Sequence, residues 1–113
     1  MRILVAEDEL VIAVDLAERL AEAGHSVIGP FTRRAEVMDW IAHDLPDAAV
    51  LDFQLLDGSC EDAVRELRGR GVPIVAFTAA GETLPEDLAE VVAVPKPATV
   101  EHVASALERV MRE

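Results

Sequence analysis

Five short apolar runs divide the chain, and each is followed by a longer segment in which apolar residues recur every three or four positions. The runs occupy residues 2–6, 25–29, 49–52, 74–78 and 91–94. A short apolar run bounded by turn residues is typical of a strand covered on both faces, whereas spacing of three and four is typical of a helix packed by one face. The pattern therefore predicts five strands that alternate with five helices.

The predicted helices are bounded by glycine, proline and residues that cap helix ends. They occupy residues 9–23, 32–45, 59–69, 83–90 and 99–111. The expected caps are Gly24 after the first helix, Thr32 before the second, a capping box of Ser59 and Asp62 before the third, and Thr99 before the fifth. Pro85 suits only the first turn of a helix, so the fourth helix is expected to have one or two turns at most.

Alternation of strands and helices favours an α/β fold in which a five-stranded parallel sheet is wound on both faces by helices. The second strand is predicted to lie at an edge of the sheet and to end at Pro30, because proline cannot donate a backbone hydrogen bond. With 113 residues, the chain has the length of one domain. We expect a single domain over residues 1–113, with no output domain after the fifth helix.

Composition narrows the classes of partner. The chain has 22 acidic and 10 basic residues and a formal net charge of −12, which disfavours binding to nucleic acid phosphates and to anionic membranes. Its single cysteine, Cys60, has no partner for an internal disulfide. No stretch has the pattern of a signal peptide or the length of a membrane span, so a cytoplasmic protein is expected.

Polar side chains stand where four of the predicted strands end. Glu7 and Asp8 follow the first strand, Asp52 ends the third, Thr78 ends the fourth, and Lys96 follows the fifth. The carboxyl ends of parallel strands share one edge of the sheet, which is where ligands bind in such folds. Three adjacent carboxylates resist simultaneous ionisation, so they either share protons or hold a cation, and Mg²⁺ prefers such oxygen ligands.

The same edge is suited to phosphoryl transfer. Lys96 is the only lysine and lies between two prolines, which suits a fixed positive charge for a phosphate oxygen. Thr78 adds a hydroxyl group that can bind the same phosphate. Since phosphoryl transfer depends mostly on positioning and charge neutralisation, Asp52 can serve as the nucleophile that becomes phosphorylated.

Four motifs together resemble the receiver domain of two-component response regulators. They are residues 6–9, 51–52, 77–79 and 95–97, in this order and at the ends of four predicted strands. The resemblance implies a flavodoxin-like fold with strand order 2-1-3-4-5 and a bound Mg²⁺ or Mn²⁺ ion. It also implies a histidine kinase or a histidine phosphotransfer protein as the phosphoryl donor, and a monomer or weak homodimer.

Site roles follow from this resemblance position by position. Asp52 corresponds to the phosphoacceptor, Asp8 and Asp52 to direct metal ligands, Glu7 to an acid that reaches the metal through water, and Gln54 to a ligand through its backbone carbonyl. Thr78, Ala79 and Lys96 correspond to the groups that bind the phosphoryl group. Leu10 and Val11, together with Pro97 and Ala98, are expected to form the docking surface for the phosphodonor.

Several positions differ from the common pattern of this family. Glu7 replaces the commoner aspartate, the loop after Asp52 is shorter and lacks its proline, and Ala93 replaces an aromatic switch residue. The reduced fourth helix also changes the usual dimer face. A receiver-like interaction module that is never phosphorylated is therefore one alternative function.

Two other interpretations of the acidic residues also remain. The acidic residues after the first strand could merely cap the first helix. An aspartate-nucleophile phosphohydrolase would share the carboxylates and the lysine, but it would need a second aspartate as general acid where this chain has Gln54. Nucleotide and flavin binding fit poorly, because no glycine-rich phosphate loop follows any strand.

Overall fold

The strands and helices alternate along the chain as the apolar pattern predicts. The computed structural model describes residues 1–79 and 81–112. Its strands are β1 (Arg2–Ala6), β2 (Ser26–Phe31), β3 (Ala48–Asp52), β4 (Gln54–Leu55), β5 (Gly58–Ser59), β6 (Ile74–Thr78) and β7 (Val92–Pro95). Its α-helices are α1 (Leu10–Glu22), α2 (Arg34–Ile41), α3 (Glu61–Gly69) and α4 (Val100–Met111), and a single 3-10 turn spans Glu86–Leu88.

Five of the strands form one parallel sheet in the order β2-β1-β3-β6-β7. The short strands β4 and β5 pair with each other as a separate hairpin. Once this hairpin is set aside, the order is the predicted 2-1-3-4-5. The α/β prediction is therefore confirmed, and β3 and β6 at the centre of the sheet are buried along their whole length.

Helices cover both faces of the sheet and create two apolar cores. Helices α2 and α3 pack on one face with Leu4 and Leu51, whereas α1 and α4 pack on the other with Val5 and Val50. Successive residues of a strand point to opposite faces, which is why adjacent residues of β1 and β3 enter different cores. This double covering explains why the central strands have continuous apolar runs.

The second strand extends further than the sequence predicts. It lies at the edge, as expected, but it continues through Pro30 to Phe31 instead of ending at Pro30. β2 pairs only with β1, so the missing proline N–H costs no bond on its open side. Gly29 has a φ of +102°, and a Cβ there would lie 2.8 Å from the Val5 carbonyl oxygen, so the close approach of the two strands requires glycine.

Helix α2 is capped by a residue far along the chain, and the prediction that Thr32 caps it is wrong. The helix begins at Arg34 and ends at Ile41, short of the predicted end at residue 45. The Asp57 carboxylate accepts hydrogen bonds from the backbone N–H groups of Arg34 and Ala35. These bonds hold the turn of the β4-β5 hairpin against the start of α2, and they lower the Asp57 pKa below its ordinary value.

The segment before α3 also differs from the prediction. Residues 54–59 form the β4-β5 hairpin, whose turn lies at Leu56 and Asp57, and the helix begins at Glu61. The predicted capping box of Ser59 and Asp62 is therefore wrong, because the residue at the N-cap is Cys60 and not Ser59. The Ser59 hydroxyl nevertheless accepts the Glu61 N–H at 3.2 Å. At α4 the predicted cap is correct, because the Thr99 hydroxyl accepts the His102 N–H at 3.1 Å.

The predicted fourth helix is reduced to the 3-10 turn at Glu86–Leu88, which begins directly after Pro85. Leu88 is 1% exposed and fills the core under α3. Two ion pairs hold this segment to α3: Arg65 Nε lies 2.7 Å from Asp87, and an Arg68 nitrogen lies 3.1 Å from Glu90. No helix in the described part of the chain is long and apolar enough to cross a membrane.

Candidate functional site

The carboxyl edge of the parallel sheet collects the polar side chains that follow its strands. Asp52 is the last residue of β3 and Thr78 the last of β6, while Glu7 and Asp8 follow β1 and Lys96 follows β7. The Lys96 N–H donates a 2.7 Å hydrogen bond to the Thr78 carbonyl, which fixes the end of β7 beside β6. We call Glu7, Asp8, Asp52 and Lys96 the acidic pocket.

The Lys96 ammonium group lies among all three carboxylates of the acidic pocket. Its Nζ is 2.7 Å from Asp52 Oδ2, 3.2 Å from Asp8 Oδ1 and 2.9 Å from Glu7 Oε1. The side chain is 22% exposed, and the ammonium lies 5.2 Å from the centre of the Phe77 ring. One positive charge thus faces three carboxylates in a partly desolvated site.

Backbone amides hold two of the carboxylates in place. Glu7 is 1% exposed, and its Oε2 accepts the Glu9 N–H at 2.8 Å. Asp52 Oδ1 accepts the Gln54 N–H at 3.2 Å. The other Glu7 oxygen, Oε1, is buried without a hydrogen-bond donor, since Lys96 approaches it closely but not in a hydrogen-bonding direction.

The acidic pocket has the donor set of a small divalent cation. Carboxylate oxygens of Glu7, Asp8 and Asp52 all lie within 4.8 Å of one another. Mg²⁺ and Mn²⁺ favour such oxygen ligands, and the buried Glu7 oxygen lacks a compensating donor. The single ammonium cannot balance three ionised carboxylates, so these residues fit a divalent ion, which would favour the ionised form of Glu7.

Burial and mutual proximity separate the pKa values of the acidic pocket. Burial raises the Glu7 pKa from 4.5 to about 8, and the adjoining Asp8 carboxylate adds to this shift. The hydrogen bond with Glu7 holds the Asp8 pKa far below its ordinary value. Burial also raises the Asp52 pKa. Burial alone would lower the Lys96 pKa, but Asp52 and Glu7 outweigh it and raise the pKa above its usual value.

Comparisons with known proteins identify relatives of this chain in sequence and in fold. No protein-family model matches the sequence. The chain is 34% identical to the response regulator MprA of Mycobacterium tuberculosis over 121 aligned positions, covering 99% of this chain and 51% of MprA. It is 37% identical to the two-component response regulator PhoP of Pseudomonas aeruginosa over 83 positions, covering 72% of this chain and 36% of PhoP. The chain thus spans about half or less of the length of these curated relatives.

Two solved structures share the fold over nearly the whole chain. The non-phosphorylated receiver domain of HemR from Leptospira biflexa matches with a TM-score of 0.83 and 26% identity, covering 99% of this chain and 94% of that one. SdrG from Sphingomonas melonis matches with a TM-score of 0.82 and 26% identity, covering 98% and 96%. The chain is a CheY-like receiver domain. The family resemblance drawn from the four strand-end motifs is confirmed.

Three further residues of the receiver domain were expected at the site. The Thr78 side chain is buried beside the pocket, at 3% exposure. The Ala79 N–H donates a 2.9 Å hydrogen bond to the Glu82 carboxylate, a contact that the sequence did not suggest. Gln54 has an exposed side chain and begins β4, paired with Ser59, two residues after Asp52. The structure therefore brings the charged groups together and leaves the Ala79 amide engaged by Glu82.

An apolar groove of about 380 Å³ adjoins the acidic pocket of the receiver domain. Its lining includes Ile12, Phe77, Pro97 and Ala98 with the stem of Lys96. At the start of α1, Leu10 is 61% exposed and Val11 is 75% exposed.

Proposed function

We propose that this receiver domain accepts a phosphoryl group on Asp52 from a phosphohistidine of a histidine kinase or a histidine phosphotransfer protein. The observation that supports this most directly is the single ammonium group of Lys96 lying within 3.2 Å of oxygens from Glu7, Asp8 and Asp52. Such a cluster concentrates a nucleophile, a cation site and a positive charge for phosphate oxygens. Phosphoryl transfer requires these three groups, and this cluster contains all of them.

In the proposed reaction an Asp52 carboxylate oxygen attacks the phosphorus atom. A new P–O bond forms while the P–N bond to the donor imidazole breaks, and the leaving imidazole nitrogen takes up a proton. Asp8, Asp52 and the Gln54 backbone carbonyl, with Glu7 nearby, would hold a divalent ion, which would supply charge neutralisation for the phosphoryl oxygens. Lys96 is 2.7 Å from Asp52 and pairs with the transferred group, and the Thr78 hydroxyl binds another of its oxygens. The Ala79 N–H binds the third oxygen once it exchanges its 2.9 Å bond to the Glu82 carboxylate.

Acyl phosphate formation can be tested with acetyl phosphate as the donor. Incubation with Mg²⁺ should add the mass of one phosphoryl group, and chelation of the metal should prevent the addition. Asp52→Asn should remain unmodified, whereas the matched control Asp15→Asn, an exposed change on α1, should be modified normally. Equal modification of the Asp52→Asn variant would show that another residue is the acceptor.

Two other outcomes separate the alternative functions. Metal binding without any phosphorylation would favour a receiver-like interaction module. Sustained hydrolysis of a small phosphate ester would favour an aspartate-nucleophile phosphohydrolase. The exposed side chain of Gln54 cannot act as general acid in that reaction, so we expect no such turnover.

The phosphodonor is proposed to dock on Leu10, Val11, Pro97 and Ala98. Pro97 and Ala98 line the apolar groove beside Lys96, as does Ile12 of α1. Leu10 and Val11 are exposed at the start of the same helix, where they can contact a donor helix. Val11→Glu should slow transfer from a phosphohistidine protein by about tenfold while leaving acetyl phosphate labelling unchanged. Unchanged transfer from the protein donor would rule out this docking surface.

A further inference from the structure

We propose that the groove between β2 and α2 binds an apolar segment of a partner protein that carries arginine side chains. The groove has a volume of about 470 Å³ and is lined by Phe31, Glu36, Asp39, Trp40, His43 and Asp44. We call it the aromatic groove. It lies on the open edge of the sheet, away from the proposed contact surface of α1, and it plays no part in the proposed phosphoryl transfer.

Two aromatic residues form the apolar floor of the aromatic groove. Phe31 and Trp40 pack against the core but remain partly exposed. Trp40 is the only tryptophan of the chain. Leu56, at the tip of the neighbouring hairpin, is 59% exposed, and its N–H donates a 3.0 Å bond to the Thr32 carbonyl next to Phe31. Partly exposed aromatic surface of this kind commonly anchors protein partners.

Carboxylates line the rim of the aromatic groove. Glu36, Asp39 and Asp44 all border it, and Asp39 forms no salt bridge with any residue between 1 and 79 or between 81 and 112. A partner that covers the aromatic floor must therefore bring positive charge to this rim. Arginine satisfies both requirements, because its guanidinium group pairs with carboxylates and also stacks on aromatic faces.

The domain itself shows how such a guanidinium is held at one end of the groove. The Arg2 guanidinium lies 5.5 Å from the Trp40 ring centre and 2.7 Å from an Asp44 oxygen. A second Arg2 nitrogen lies 3.3 Å from the other Asp44 oxygen. This arrangement occupies Asp44. Glu36 Oε1 accepts the Thr32 and Arg33 N–H groups at 3.3 and 3.2 Å, so Asp39 and the other Glu36 oxygen remain to receive arginine side chains of the partner.

A second copy of the chain does not suit the aromatic groove. The chain has a net charge of −12, and two such grooves facing each other would oppose carboxylates on both sides. The groove is also connected to the acidic pocket, since the Phe31 carbonyl accepts the Glu7 N–H at 2.9 Å. A partner seated on Phe31 thus contacts the strand end next to Glu7.

Trp40 fluorescence of the intact chain can test the proposal directly. The probe is a blocked six-residue peptide of alternating arginine and leucine, and a peptide of alternating arginine and serine is its apolar control. We expect the arginine–leucine peptide to change Trp40 fluorescence and to bind at least about fivefold more tightly than the arginine–serine peptide. Equal affinity of the two peptides would show only general charge attraction and would overturn the proposal.

Matched variants separate the aromatic groove from the overall acidity of the chain. Glu36→Gln with Asp39→Asn should weaken binding by about fivefold or more, whereas Asp15→Asn with Glu18→Gln, which removes equal charge from α1, should change it less than about twofold. Equal weakening by both pairs would overturn the proposal. Sedimentation that shows a dimer abolished by the groove pair would instead assign the surface to a second copy and would also overturn it.

Discussion

Replacing Glu7 with glutamine should make the free energy of unfolding of the metal-free domain less sensitive to pH between about pH 4.5 and pH 8. Burial raises the Glu7 pKa to about 8 in the folded chain, so the folded state keeps a proton that the unfolded chain releases near pH 4.5. Stability from this group is therefore fully present below pH 4.5 and is lost as the pH rises through about 8. Glutamine resembles the protonated side chain and does not titrate.

The size of the effect follows from the two pKa values. Each pH unit between them lowers the free energy of unfolding by about 1.4 kcal/mol. Glu7 is 1% exposed, so solvent screening is small, but its proton is shared with the Asp8 carboxylate. We therefore expect the glutamine variant to gain about 2–3 kcal/mol over the wild type between about pH 5.5 and pH 8.

Urea denaturation in the presence of a chelator can measure this difference, with Trp40 fluorescence and circular dichroism as the signals. Glu18→Gln serves as the control because Glu18 is exposed on α1, and its stability should follow the wild type at both pH values. A difference between wild type and Glu7→Gln that stays constant with pH would refute the reasoning. It would mean that Glu7 is ionised in the folded state throughout this range.

Three further changes test other parts of the structure by the same measurements. Lys96→Met leaves the three carboxylates without their ammonium, so we expect it to lower the free energy of unfolding of the metal-free domain by about 1–2 kcal/mol. No loss would mean that the Lys96 ammonium does not stabilise the metal-free fold. Leu88→Ala should cost about 2–4 kcal/mol by opening a cavity under α3, and a smaller cost would show that the segment after β6 collapses onto the core. Burial raises the Cys60 pKa to about 12, so the thiol should resist disulfide reagents until urea unfolds the chain. Rapid labelling of the native domain would contradict its burial.

The features that the sequence predicts well are those that depend on residues close together in the chain or on the ends of strands. Continuous apolar runs identify β3 and β6 because each of their residues faces one of the two cores. The convergence of Asp52 and Lys96 follows from their places at strand ends, since parallel strands bring their carboxyl ends to one edge. Thr99 is also predictable, because its side chain and the amide it caps are three residues apart.

The features that the sequence missed depend on contacts between distant residues. Asp57 caps α2 from the hairpin, 22 and 23 residues away from the amides that it binds, so the nearby Thr32 was a false signal. The strand through Pro30 depends on the open side of β2, which only the assembled sheet reveals. The helix after β6 is, by contrast, as short as Pro85 predicted, and what the sequence did not show is that Leu88 is anchored in the core.

The acidic pocket is a place where the fold carries unfavourable charge that a bound cation can relieve. Its carboxylates and ammonium come from chain positions up to 89 residues apart, so they meet only when the parallel sheet has formed. An ion that needs all of these oxygens binds the folded state and not the unfolded one, and its stabilising effect grows by about 1.4 kcal/mol for each tenfold increase above its dissociation constant. Glu7 Oε1 is the buried oxygen of the pocket that has no hydrogen-bond donor, whereas the Asp52 oxygens are bound by the Lys96 ammonium and the Gln54 N–H. We therefore expect a bound cation to raise the free energy of unfolding by compensating the charge that Lys96 alone does not balance.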